Sequence, residues 1–78
     1  MDIKVIGAGC DKCDTLFENT KEAVKELSLD CEVKKIENLI EIVKLGVMSS
    51  PALMVDGKIY ISGRSAKVKE IVKILEKL

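Results

Sequence analysis

Two cysteines three residues apart, in Cys10-Asp11-Lys12-Cys13, stand where the chain changes its periodicity. Ahead of them Ile3, Val5 and Ile6 form a short run with β-branched weight, ended by Gly7 and followed by Ala8-Gly9. That run predicts a strand over about residues 2–7. Behind them Cys13, Leu16, Phe17, Thr20, Val24 and Leu27 recur at spacings of three and four. The spacing predicts a helix over about residues 11–28 with one buried stripe. Side chains three apart share a helix face, so both sulfurs emerge in its first turn. Their Cα atoms would lie roughly 5 Å apart, within reach of a disulfide that closes and opens with little backbone movement. A CxxC placed after a strand in a βαβ pattern points to reversible disulfide chemistry, although the spacing alone also serves metals.

The rest of the chain follows in the same short units. Ser28-Leu29-Asp30 turns into a second strand over about 31–36, where Cys31 and Val33 face inward between Glu32 and Lys34. Its charges, Lys35 included, suit a sheet edge. A short helix over about 38–45 has Asn38 as N-cap, an apolar side of Leu39, Ile42 and Val43, and Gly46 as its stop. Val47 to Pro51 is a non-helical connection into Ala52-Leu53-Met54-Val55, a strand covered on both faces. Asp56-Gly57 signals a tight hairpin into Lys58–Ser62. Beyond Gly63, Ser65 is expected to cap a last helix with Val68, Ile71, Val72 and Leu75 on one stripe.

The order βαβαββα makes this an α/β chain. A right-handed first crossover sets strands one and two parallel, and the hairpin sets strands three and four antiparallel. The expected architecture is one domain over residues 1–78, with a four-stranded mixed sheet in the order 2-1-3-4. Helices one and three cover one face, and helix two the other.

Composition narrows the partners. Thirteen basic and thirteen acidic residues cancel and are interspersed, which argues against a nucleic-acid footprint or an anionic membrane as the main partner. One Phe, one Tyr and no Trp leave little for base stacking. No stretch reaches the ~18 apolar residues of a membrane span, and the N-terminus lacks the shape of a signal peptide. Three cysteines, two of them in one motif, do not make a secreted disulfide scaffold. The expectation is a cytoplasmic monomer.

With Cys10-Asp11-Lys12-Cys13 heading helix one and Ser50-Pro51 entering strand three, the whole chain resembles the thioredoxin/glutaredoxin superfamily in its minimal form. It looks closest to the small archaeal and bacterial redox-active disulfide proteins. The resemblance implies that Cys10 attacks, Cys13 resolves, and the Ser50–Pro51 bond is cis, forming a ledge for an extended substrate segment. It also implies substrate contacts at Gly9, Met48, Ser50, Pro51 and Gly63. Disulfide-containing proteins or low-molecular-weight disulfides would be the substrates. Electrons would come from a thioredoxin-reductase-like protein or a thiol donor, with no cofactor or metal. The chain departs from thioredoxins in having Gly9 in place of their Trp and Asp11-Lys12 in place of Gly-Pro. Nor does it carry the Pro-Tyr of glutaredoxins between its cysteines.

Thiol–disulfide exchange needs a thiolate at neutral pH. The N-terminal amides of helix one favour it at Cys10, Lys12 adds attraction and Asp11 opposes it. Cys13, on the apolar stripe, should be less exposed and less ionised. Gly63 has two readings: a positive-φ link out of strand four, or a glutathione contact beside Arg64. Arg64 either meets an anionic substrate group or is a solvated loop charge. Cys31 is read as a small buried hydrophobe, and Met48 and Met54 as packing residues.

The main competitor is a CxxC metal-binding module for zinc or copper(I). Such domains run βαββαβ and end in a strand, whereas this chain should end in a helix. With no His, a closed zinc site would need two chains to pool their thiolates. A degenerate adaptor is disfavoured by retention of both motif cysteines.

Overall fold

The computed structural model describes residues 1–7 and 11–78. Among them the elements are β1 (Ile3–Ile6), α1 (Asp11–Glu26), β2 (Val33–Ile36), α2 (Leu39–Lys44), β3 (Ala52–Val55), β4 (Lys58–Ser62) and α3 (Val68–Glu76). The sheet order is β2-β1-β3-β4. β1 runs parallel to β2 and antiparallel to β3, and β3 runs antiparallel to β4. This is the α/β, minimal thioredoxin fold.

Strand alternation divides the interior into two layers. Ile3 and Val5 of β1, Leu53 and Val55 of β3, and Ile61 of β4 share a core with Leu16, Ala23 and Val24 of α1 and Ile71 and Leu75 of α3. The alternate residues Ile6, Ala52 and Met54 face the other way, onto Val47 and the half-buried Ile42 and Leu45. Helices α1 and α3 therefore cover one face, and α2 with its following loop covers the other. Burying a side chain such as Leu16, Leu53 or Ile71 contributes about 1.5–3 kcal/mol, so the first layer carries most of the stability.

The turns follow their residue types. Asp56 and Gly57 both have positive φ, 51° and 82°, as a two-residue hairpin matching strand twist requires. The Asp56 carboxylate also accepts from the Asp2 N–H at 2.8 Å, pinning the N-terminus to this turn. Asn38 caps α2, its side chain accepting from the Ile40 and Glu41 N–H groups, and Gly46 follows the helix with φ 75°. Leu53 pairs with Ile61 but Met54 with Ile59, so Tyr60 is an extra residue that bulges β4.

Three expectations need correction. Ser65 does not cap the last helix; Lys67 is the N-cap and makes no side-chain cap hydrogen bond. The second strand begins at Val33, which leaves Cys31 just ahead of it as a half-buried free thiol against the main core. The apolar side of α2 is also not what the spacing suggested. Ile42 packs inward with Leu45, while Leu39 and Val43 turn outward and α2 buries no residue completely. Six residues cannot lay a full amphipathic stripe on a sheet face already filled by Val47 from the loop.

The burial contrast gives a direct test with one chemistry at two positions. Leu53→Ala, at a fully buried site, should lose about 2–5 kcal/mol in urea unfolding. Leu39→Ala, 71% exposed, should stay within about 0.5 kcal/mol of the parent.

Candidate active site

Four strand termini meet at one end of the sheet. Ile6 ends β1 beside Ile36 of β2 and Ala52 of β3, and Ala52 lies beside Ser62 of β4. The chain leaves this edge through Gly7, whose N–H donates to the Ile36 carbonyl at 2.9 Å. Past residues 8–10, α1 opens with Asp11 and Asp14 in its first turn, where negative charge suits the positive end of the helix dipole.

Gly7 is the floor of the site. A Cβ added to it would overlap the Cys13 sulfur and stand 3.4 Å from the Pro51 Cα. The backbone at Gly7 is thus held directly beneath the Cys13 side chain, with Pro51 alongside. Only a residue without a side chain permits that approach. Cys13 is 1% exposed and Pro51 is fully buried, so both form the inner wall of this corner.

The Ser50–Pro51 peptide bond is cis. The Pro51 carbonyl accepts from the Gly63 N–H at 2.8 Å, and Gly63 has φ 78°; a Cβ added to it would stand 3.4 Å from the Ser49 Cβ. Gly63 therefore fills the first of its two expected roles, turning the chain out of β4 and bracing the proline. Ser49, Ser50 and Met48 lie exposed on the loop before Pro51, Met48 being 95% exposed. Met48 is not a packing residue; Met54, 4% exposed, is.

Asp11 and Lys12 are exposed on the helix tip, and the Asp11 carbonyl accepts from the Thr15 hydroxyl at 3.0 Å. Gly9 and Cys10, with Ala8, lie outside the described residues. The structure thus brings Cys13, Pro51 and Gly63 to one corner, with Ser50 and Met48 on the adjoining surface.

Ion pairs centred on Lys35 and Arg64 brace the surroundings. Lys35 donates to Asp14 at 2.6 Å and lies 3.7 Å from Glu37, while its ammonium sits 5.5 Å from the Phe17 ring centroid. The hydrogen bond to Asp14 raises the Lys35 pKa, and this contact ties the first turn of α1 to β2. Arg64 meets both carboxylate oxygens of Glu70, at 3.1 and 2.5 Å. Arg64 is therefore engaged in a bidentate surface pair. That hydrogen bond raises the Arg64 pKa and lowers that of Glu70.

Sequence reasoning treated Gly7 only as the end of a strand, and missed it as a site residue. A glycine between a buried strand and the motif helix was the available signal. The Asp14–Lys35 pair was missed as well, because each charge already had a local explanation.

A helix-tip cysteine over a glycine floor, beside a cis-proline at the start of an antiparallel strand, is the corner that the minimal thioredoxin fold builds here. The comparisons carry this further. Residues 1–76 match the thioredoxin domain family. A thioredoxin of Methanothermobacter thermautotrophicus is 45% identical over 75 residues, covering 96% of this chain and 97% of that protein. A thioredoxin of Methanocaldococcus jannaschii is 36% identical over 74 residues, covering 95% of this chain and 85% of that one. The chain belongs to the thioredoxin domain family, and thiol–disulfide oxidoreductase chemistry in general terms comes with that membership.

Two outcomes test the corner. Gly7→Ala forces a methyl onto the Cys13 sulfur and should destabilise the fold by about 1–3 kcal/mol in denaturant unfolding. For the outer pair, the Glu70 carboxyl is held below its ordinary 4.5, so the pair stabilises the fold above that pH. The contribution is lost as pH falls through the lowered folded-state value. Arg64→Gln should raise the Glu70 titration midpoint, read by carboxyl-carbon NMR, and remove that increment of acid sensitivity.

Proposed function

We propose that this chain is a dithiol–disulfide oxidoreductase in which Cys10 is the nucleophile and Cys13 the resolving thiol. The observation that carries the reading is the corner itself. Cys13 is buried in the first turn of α1 against Gly7 and Pro51, while the chain just before Pro51 is exposed. A buried second sulfur suits a resolving role, since it stays away from the incoming disulfide until the first exchange has occurred.

The reaction balances as two successive displacements. The Cys10 thiolate attacks one sulfur of a substrate disulfide, forming a mixed disulfide and releasing the other sulfur as a thiolate. Cys13 loses its proton and attacks the Cys10 sulfur, forming the Cys10–Cys13 disulfide and releasing the second substrate thiolate. Two electrons have then passed to the substrate; the Cys13 proton goes to one released thiolate and solvent protonates the other. A thioredoxin-reductase-like protein or a thiol donor returns them.

Cys10 immediately precedes α1 in sequence, where the first N–H groups of the helix and its dipole favour a thiolate. Lys12 and Asp11 bias it in opposite directions. Ser50 offers backbone to an extended substrate segment, in the manner of an added strand. The Pro51 carbonyl is already used by Gly63. The exposed loop side chain of Met48 and the backbone at Gly9 complete the substrate side. A reducing cytoplasm suits a dithiol that must be returned to its reduced form, and among the described residues no helix is long and apolar enough to cross a membrane.

Insulin reduction with the parent and single Cys→Ser variants tests the assignment. Activity should vanish in Cys10→Ser, stop at the mixed disulfide in Cys13→Ser, and persist in Cys31→Ser. In Cys13→Ser the Cys10 pKa should fall below about 8.5; a value at or above that removes the activated nucleophile. The redox couple should lie between about −200 and −290 mV.

A further inference from the structure

On the sheet face away from α1 and α3, helix α2 leaves a groove of about 340 Å³ between itself and the strands β1 and β2. Its lining is Lys4, Lys34, Ile36, Glu41, Lys44 and Leu45. Lys4 and Lys34 are direct neighbours in the parallel ladder, so their side chains stand on one face. Lys44 joins them from the last turn of α2. Ile36 and Leu45 are half-buried against the Ile6, Ala52 and Met54 core, which gives the groove an apolar floor. Strand alternation sends the two lysines of β2 to opposite faces. Lys35, on the α1 side, is taken up by Asp14 and Glu37. Lys34 and Lys44 make no ion pair among the described residues, although Glu41 is three residues from Lys44 on α2. Lys4 lies 3.4 Å from Asp2, an exposed contact that solvent screening keeps weak.

We propose that this groove binds a phosphate monoester with a small apolar or aromatic body. Three ammonium groups and one carboxylate line it, so a dianion balances the charge of the lining where a monocarboxylate falls short. A phosphate monoester carries about −1.5 to −2 charge at pH 7. Ammonium groups act on phosphate oxygens as point charges, and here they converge from two strands and a helix. Like charges set side by side on a sheet repel, and an anion between Lys4 and Lys34 removes that repulsion. The body of the ester covers Ile36 and Leu45, and the groove volume is at the small end of ligand sites. Cys13 belongs to α1, on the other face of the sheet, so occupancy can be read without the redox reaction.

The test is an amide NMR titration of the full chain with phenyl phosphate, inorganic phosphate and phenylacetate, at constant ionic strength so that general screening does not change. Phenyl phosphate should shift the amides of Lys4, Lys34, Ile36, Lys44 and Leu45 along one saturating curve. Inorganic phosphate lacks the apolar body and phenylacetate the second charge, and each should bind about tenfold more weakly or worse. Lys34→Gln with Lys44→Gln, both at exposed positions, should weaken phenyl phosphate about tenfold or more. Lys67→Gln with Lys73→Gln removes the same charge from α3, also at exposed positions, and should leave the affinity within about twofold. Shifts that do not saturate, or that spread over lysines all round the molecule, show a counterion atmosphere only and overturn the proposal. Equal affinity for the three anions overturns it, as do equal losses in the two double variants. The parent titration decides the matter alone if a variant fails to fold.

Discussion

The approach of the Gly7 backbone to the Cys13 sulfur is the contact on which the site depends. It requires β1 to stop, the chain to turn, and α1 to start with its first buried side chain directly over the strand end. Pro51, just ahead of β3 and distant in sequence, shares the same space, so three segments meet where no Cβ fits on one of them. Interiors pack densely, and a corner of this kind has no slack into which an added methyl could relax.

The rest of the fold holds that corner in place. The Gly7 N–H is tied to Ile36 and the Pro51 carbonyl to Gly63, so β2 and β4 each secure one side. Lys35 fastens the first helical turn to β2 through Asp14. On the far side, the Asn19 side chain donates to the Ala66 carbonyl at 2.8 Å, linking α1 to the approach to α3. The motif helix is thereby fixed at its tip and midway along its length, while the large shared core of α1, α3 and the sheet sets its angle. A chain with few aromatics achieves this through many small aliphatic contacts.

Much of this was legible in one dimension. The period of two in Ile3–Ile6, the three-and-four spacing behind Cys13 and the Asp56-Gly57 turn each express a local preference of the backbone. Element order and sheet order followed, because short connections and crossover rules leave few alternatives. The expectation for α2 failed on a short helix, where Leu39, Ile42 and Val43 do not say which side the sheet can accept. Ser65 failed as a cap because a hydroxyl before an apolar run is a weak boundary signal when Ala66 is drawn into the core.

The amino-acid order determined the alternation of strands and helices, the two-sided apolar pattern of β1 and β3, and the placing of Cys13 in the first turn of a helix. The alternation and periodicity behind these depend on neighbours within a turn or two, which the order records directly. Only the tertiary structure decided that Gly7 lies under Cys13, that Gly63 braces Pro51, and that α2 presents Leu39, Ile40 and Val43 outward. Those outcomes depend on which distant surfaces compete for the same volume, and that competition is settled only when the sheet has formed.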